Sequence, residues 1–388
     1  MIEKYYSGVI EQIYNRIGKE TRNIVMANYS NDFSIENLEV IRRYQSNEDN
    51  VFFAYSEFSY NTLVGAYEPF LDIICNMHRH FIGGSFDDFQ KECGVYYLHR
   101  QVLNSYYETG ECFREETVLL NEVAYEQRRM TKAIVDMLKR LSEVRPLMIV
   151  INRFQMASKS SIETIKYLID NPCTNIGIVL GVNVQVKGTD STVEVWDRIV
   201  ESLEDRSAIY YIGSAGQQKN HIRDTSDDEL YITTNFEQSI QEASNIMEFL
   251  DYEQARRGCR IIEHKIKFED AWIDEKSLRR FYLIYARTSV LLGEMSKAIE
   301  LTNEYKALIP ESDSEHYFSI YYFMKGTCYM YQGKLEKAEG CAKKAYDYAL
   351  LADDELLEFK SELLSVMIKM SGWYNIFFCV QDIPVSDE

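Results

Sequence analysis

Residues 145–169, RPLMIVINRFQMASKSSIETIKYLI, read as a buried strand, a sharp polar exit and an amphipathic helix. The run 147–151 is apolar at every position, a pattern that suits a strand covered on both faces. Four further runs share its β-type character: NIVMAN (23–28), VFFAYSE (51–57), IGIVLGVN (176–183) and AIYYIG (208–213). Helical patterns lie between them; in one, Met130, Ala133, Ile134, Met137, Leu138 and Leu141 recur on one face. Strands of this kind, separated by helices, predict a parallel sheet covered on both sides.

Strand-type runs stop near residue 215. The polar segment 216–236 reads as a linker or small connecting module, and from 237 to 388 long helical patterns take over. Gly293 is followed five residues later by Ala298, and Gly333 by Ala338, while FLDYEQAR puts Ala255 in the corresponding place of an earlier copy. Gly372 continues the glycine series at a spacing of roughly 40 residues. Each unit reads as helix, glycine-containing turn, helix, with the small residue where two helices approach closely. The unit YYFMKGTCYMYQGKLEKAEGCAKKAYDYA (321–349) resembles a tetratricopeptide repeat, with Gly326, Tyr329, Gly333, Ala338 and Ala345 at its small and aromatic positions. No polar capping helix is evident in FFCVQDIPVSDE (377–388), so a longer protein is expected.

The composition, 46% hydrophobic and 27% charged, is that of a globular chain. A formal charge of −19, from 61 acidic and 42 basic side chains, opposes attraction to phosphate backbones or anionic lipid, so no direct nucleic-acid contact is expected. Glu3 and Glu11 interrupt the start where a secretion signal would be apolar, and no run approaches bilayer length. A cytoplasmic protein without a membrane partner is expected. The eight cysteines never fall in C-x-x-C spacing, which argues for reduced core thiols over a zinc knuckle or redox pair.

The order and spacing of residues 20–215, together with the repeats, resemble the AAA-like signalling NTPases of the STAND type. There an ATPase domain precedes a helical-repeat sensor, as in maltose-operon-type bacterial regulators. LMIVINRFQMASKSSIETIKYLI would match that family's strand, acidic pair and following helix; IGIVLGVN would match the next strand, which ends in a polar sensor residue; AYEPFLDII also looks like the family. The resemblance implies an α/β parallel-sheet, P-loop-NTPase-like domain over 1–215, followed by an all-α tetratricopeptide-like helical repeat. It also implies a nucleotide site, whose chemistry is missing. A phosphate loop needs glycines, so that backbone N–H groups can surround the phosphates, and a lysine to neutralise them. Between the first strand and its helix the chain has NYSNDFSIENLEVIRRY, with neither. Asp32 and Glu36 instead sit near the helix start, where carboxylates stabilise the helix by up to about 1 kcal/mol and repel a triphosphate.

The third strand fails independently. An Asp ending it would hold the Mg²⁺ shell and a neighbouring acid would polarise the attacking water; Asn152 has no charge and Arg153 has the opposite one. Asn183, at the sensor position, is the expected residue type, although a strand-end Asn is also an ordinary turn former. The degenerate site is therefore placed at Asn28, Asp32, Glu36, Asn152, Arg153 and Asn183, with no catalytic residue and no cofactor. Arg153 is expected to find an acid, Asp32 and Glu36 being the near candidates. An ordinary buried strand in an unrelated α/β fold is the competing reading.

His78 and His80 in MHRHF, with His99 further on, could suggest a metal, yet an i,i+2 pair on a helix points to different faces and no Cys or Asp completes a set. No metal site is expected. GSAGQQK (213–219) follows a strand without opening a helix and reads as a loop. Most of the 29 tyrosines should pack between helices. Some on the first helix of each repeat face a concave surface suited to a peptide or helix, which Arg280, Arg287, Phe323, Thr327 and Tyr331 would line. The combined expectation is a non-catalytic regulator or scaffold, a pseudo-ATPase platform whose repeats bind a protein or peptide partner. The alternative is an ATP-dependent switch or transcriptional regulator, a weak ATPase whose unconventional nucleotide site is completed from elsewhere. Oligomeric state stays open.

Overall fold

Each β-type run forms a strand in the computed structural model, which describes residues 2–30, 38–45, 51–59, 63–112, 122–186, 193–212, 236–268, 273–312 and 314–381. The strands are β1 (Ile24–Tyr29), β2 (Phe52–Glu57), β3 (Leu147–Asn152), β4 (Ile176–Asn183) and β5 (Ile209–Ile212). They build one sheet in the order β2-β3-β4-β1-β5, and every pairing is parallel. Both β3 and β4 are buried at every position. Interior strands of a covered parallel sheet touch protein on both faces, which is why their runs carry so little polar punctuation.

On one face, α1 (Ile2–Tyr14) and α2 (Glu39–Gln45) pack Tyr6, Ile10, Ile13 and Ile41 against Val25, Ala27 and Tyr29 of β1. Met26, Ile149, Ile151, Ile178 and Leu180 belong to the alternate positions and are equally buried. Between β2 and β3 lie α3 (Phe70–Met77), which runs into a π-helical turn (His78–Ile82), then α4 (Phe86–Glu92), α5 (Tyr97–Thr109) and α6 (Val123–Val144). The six apolar residues read as one helical face, Met130 to Leu141, are all buried on α6. A short 3₁₀ turn (Phe154–Met156) and α7 (Lys159–Asp170) connect β3 to β4, and α8 (Val193–Glu204) precedes β5.

The remaining described chain is helical: α9 (Phe236–Glu248), α10 (Tyr252–Phe268), α11 (Glu275–Leu291), α12 (Met295–Ala307), α13 (Ser314–Tyr331), α14 (Leu335–Ala352) and α15 (Glu355–Gln381). Contacts divide the protein into two compact units, Met1–Ile261 and Ile262–Glu388. The division differs from the boundaries placed at 215 and 237, because α9 and the start of α10 dock on the sheet-bearing unit through polar side chains. Asn245 accepts from the Cys112 amide at 2.8 Å and donates to the Gly110 carbonyl at 2.9 Å. Gln127 donates to the Leu250 carbonyl at 2.6 Å, and Gln254 to that of Val64 at 2.9 Å. The Asp251 carboxylate accepts from the Ser160 amide at 3.0 Å, near the start of α7. Hydrophobic periodicity carries no trace of such ties. The linker assigned to 216–236 falls, but for Phe236, outside the described residues.

One turn recurs between these helices. At the end of α11 the Glu294 amide donates to Ser289 and that of Gly293 to Val290; at the end of α13, Lys334 donates to Tyr329 and Gly333 to Met330. This is the Schellman arrangement, which needs a left-handed residue, and both glycines supply it with φ of 78° and 73°. The earlier copy has the same turn without a glycine: Asp251 donates to Ile246, Leu250 to Met247, and Leu250 itself takes φ 70°. Five residues after each turn residue, Ala255, Ala298 and Ala338 are fully buried. Gly372 departs from the expected series, since α15 runs through it without a turn. A helix tolerates one interior glycine at a cost of about 1 kcal/mol, and glycine alone is a weak stop signal. Among the described residues, no helix is long and apolar enough to cross a membrane.

Candidate functional site

Parallel sheets bind ligands at the carboxyl ends of their strands. Here the adjacency β3-β4-β1 brings three such ends together. Tyr29 of β1 is in register with Asn183 of β4, and at the next strand pair Glu57 of β2 is in register with Asn152 of β3. Asn28, Asn152 and Asn183 are all buried, at 9%, 0% and 3% exposure.

Asn152 faces inward. The Tyr29 hydroxyl donates to its carboxamide oxygen at 2.6 Å. That oxygen also explains Gly181 of β4, where an added Cβ would lie 2.6 Å from it and against the Tyr6 hydroxyl. Tyr6, from α1, meets Tyr29 edge-on with ring centroids 6.4 Å apart. Its burial, reinforced by the negative charge of Glu57, pushes the phenol well above its ordinary ionisation range. At the carboxyl ends of β1 and β3, Tyr29 and Asn152 are thus engaged with each other.

Arg153 turns the chain at the end of β3 in the left-handed conformation, φ 55° and ψ 39°. Its guanidinium lies 3.0 Å from a Glu57 carboxylate oxygen and donates to the Phe58 carbonyl at 3.3 Å. Both charged side chains are largely buried. A guanidinium–carboxylate pair is therefore present with Glu57 as a partner; the expected partners, Asp32 and Glu36, lie outside the described residues. Asn183 shapes the exit of β4: its side-chain oxygen accepts from the Gln185 amide at 3.0 Å, and its own amide donates to Gln155 at 3.3 Å. Among the described residues, the buried oxygen of Asn28 has no hydrogen-bond partner.

Tyr6, Tyr29 and Glu57 were not foreseen. Glu57 had a signal, being the charged residue that closes VFFAYSE, whereas the tyrosines had none until strand order put β1 two places from β3. Chemically, the described strand ends offer carboxamides and a neutralised acid–base pair, not a set of carboxylates able to hold Mg²⁺.

The histidines occupy separate surroundings. His78 contacts the Tyr107 hydroxyl at 3.1 Å, His80 the Asn76 carbonyl at 2.7 Å, and His99 a Glu126 oxygen at 3.1 Å. Among the described residues, no cluster of three or more His, Cys, Asp or Glu could hold a metal. A cavity of about 380 Å³ opens along α6 and α7, walled by Gln127, Thr131, Lys159, Lys166 and Asp251 among others. Its two lysines are paired, Lys159 with Glu253 at 3.1 Å and Lys166 with Asp170 at 2.5 Å. That leaves little excess positive charge from them for a phosphate.

On the repeats, Arg280 is exposed and Arg287 half-buried on α11. Phe323, Thr327 and Tyr331 share one line of α13; Phe323 and Tyr331 pack partly against a cluster of Met330, Ala338, Ala342, Leu364 and Ile368. The Thr327 hydroxyl donates to the Phe323 carbonyl at 2.9 Å. Comparison with family models and with curated proteins yields no match to this chain.

Proposed function

We propose that the protein is a cytoplasmic, non-catalytic regulator or scaffold, in which a degenerate NTPase-like α/β unit serves as a platform and the tetratricopeptide-like helices bind a protein or peptide partner. The observation that carries the reading is the fate of the two residues ending β3. Asn152 is fully buried and bonded by Tyr29, and Arg153 is folded back onto Glu57. Where an ATPase needs exposed acids directed at a metal and a water, this chain has an uncharged side chain turned inward and a cation already neutralised. The parallel sheet, with the ends of β1, β3 and β4 side by side, supports the NTPase-like part. The two glycine turns and buried alanines support the repeat part. Titration calorimetry with Mg-ATP and Mg-ADP is the test: no binding heat is expected, and micromolar affinity for either nucleotide would overturn the platform reading.

A further inference from the structure

The last helix of the C-terminal unit is apolar on two opposite faces. Leu357, Ser361, Leu364 and Ile368 are buried, and Leu364 and Ile368 join the cluster formed with α13 and α14. Half a turn away, Leu356, Phe359, Leu363, Val366 and Met370 are 43, 62, 45, 51 and 55% exposed. Single exposed apolar side chains are ordinary; a line of five along one helix marks a surface that something covers. Their spacing alternates three and four, the a/d seam of two helices wound together. The sequence carries that alternation on through Trp373, Phe377 and Val380.

We propose that this seam is covered by the same seam of a second copy of the chain, running antiparallel. Charge selects that occupant. Glu362 and Lys369, both exposed, are one heptad apart and flank the seam on the same side. An antiparallel twofold axis between Leu364 and Ser365 brings Glu362 beside Lys369 of the second copy along the shared flank of the seam, about two residues off level, and by symmetry Lys369 beside its Glu362. The same axis matches Leu363 with Val366 and Phe359 with Met370 of the second copy, apolar against apolar. A parallel in-register pair would set Glu362 and Lys369 opposite Met367 and Tyr374 instead.

The area is also adequate. Half-exposed side chains of this size still offer on the order of 100 Å² each, so the two seams together bury about 1,000 Å², the threshold of a specific interface. A twofold contact of one patch with itself is the commonest form of soluble association. The inference concerns α15 alone and is independent of how the α/β unit is read.

Sedimentation equilibrium of the full chain tests it, with a mass of two copies expected. Leu363→Asp combined with Val366→Asp should give a monomer with unchanged helical circular dichroism, because both side chains lie on the solvent face. Glu362→Lys or Lys369→Glu alone should weaken the dimer about tenfold, and the two together should restore it. The proposal is overturned by a chain that stays monomeric at about 100 µM, by a dimer indifferent to the double aspartate variant, or by charge reversals that fail to rescue each other.

Discussion

Arg153 holds a conformation that costs an L-residue about 1–2 kcal/mol, and the pair with Glu57 offsets that strain. Two substitutions separate the terms. Arg153→Ala keeps the strained backbone and leaves Glu57 without this cation, so urea unfolding should show a loss of about 1–3 kcal/mol. Arg153→Gly loses the same pair while relieving the backbone, and should recover about 1 kcal/mol of that loss. Equal losses would mean that the left-handed turn stores nothing. Tyr29→Phe removes the hydroxyl that donates to the buried Asn152 oxygen and should cost about 0.5–1.5 kcal/mol with the helical signal preserved. At this scale the sequence was half legible. Asn152, Arg153 and Asn183 announce themselves by ending apolar runs, but their partners depend on which strands are neighbours. No local pattern records that β2 lies beside β3, so Glu57 could not be matched to Arg153 in advance.

At the scale of elements, a single turn recurs with different residues in the left-handed position. Gly293 and Gly333 fill it without strain; Asp353, at the end of α14, fills it with φ 54° and is exposed. Gly333→Ala should therefore lower stability by about 1–2 kcal/mol, whereas Asp353→Gly should raise it by up to about 1 kcal/mol, both measured by thermal melting. Glycine made two of these turns readable; Leu250 concealed a third, and Gly372 suggested one that is absent. The tie from the α9–α10 turn to α7 has a pH signature. Burial raises the Asp251 carboxyl above its usual range, while hydrogen bonds from Ser160 and Gln254 pull it back. As pH rises from the ordinary carboxylate value to that raised one, the unfolded chain releases this proton before the folded one does. Stability falls across the window and levels off above it. Asp251→Asn can keep an oxygen for the Ser160 amide and removes the titration, so its melting temperature relative to the unaltered chain should climb across the same window. A constant offset would show that Asp251 does not titrate there.

For the whole molecule, strand-type runs located the sheet well and the domain edge poorly, because Asn245, Leu250, Asp251 and Gln254 attach two helices that look like repeats to the α/β unit. A chain cut after residue 268 should accordingly melt as one cooperative unit, whereas a cut after 215 should lose cooperativity; circular dichroism distinguishes the two outcomes. The order of the sheet also has a consequence for synthesis. Helices α11 to α14 meet close sequence neighbours, but β1 pairs with β4, where Ile24 meets Ile178, a strand synthesised much later than β1. At ordinary elongation rates roughly ten to thirty seconds pass before that neighbour emerges. Throughout that interval an apolar strand with two open edges must be kept from other chains, so newborn protein, more than the finished fold, should be the form that depends on chaperones.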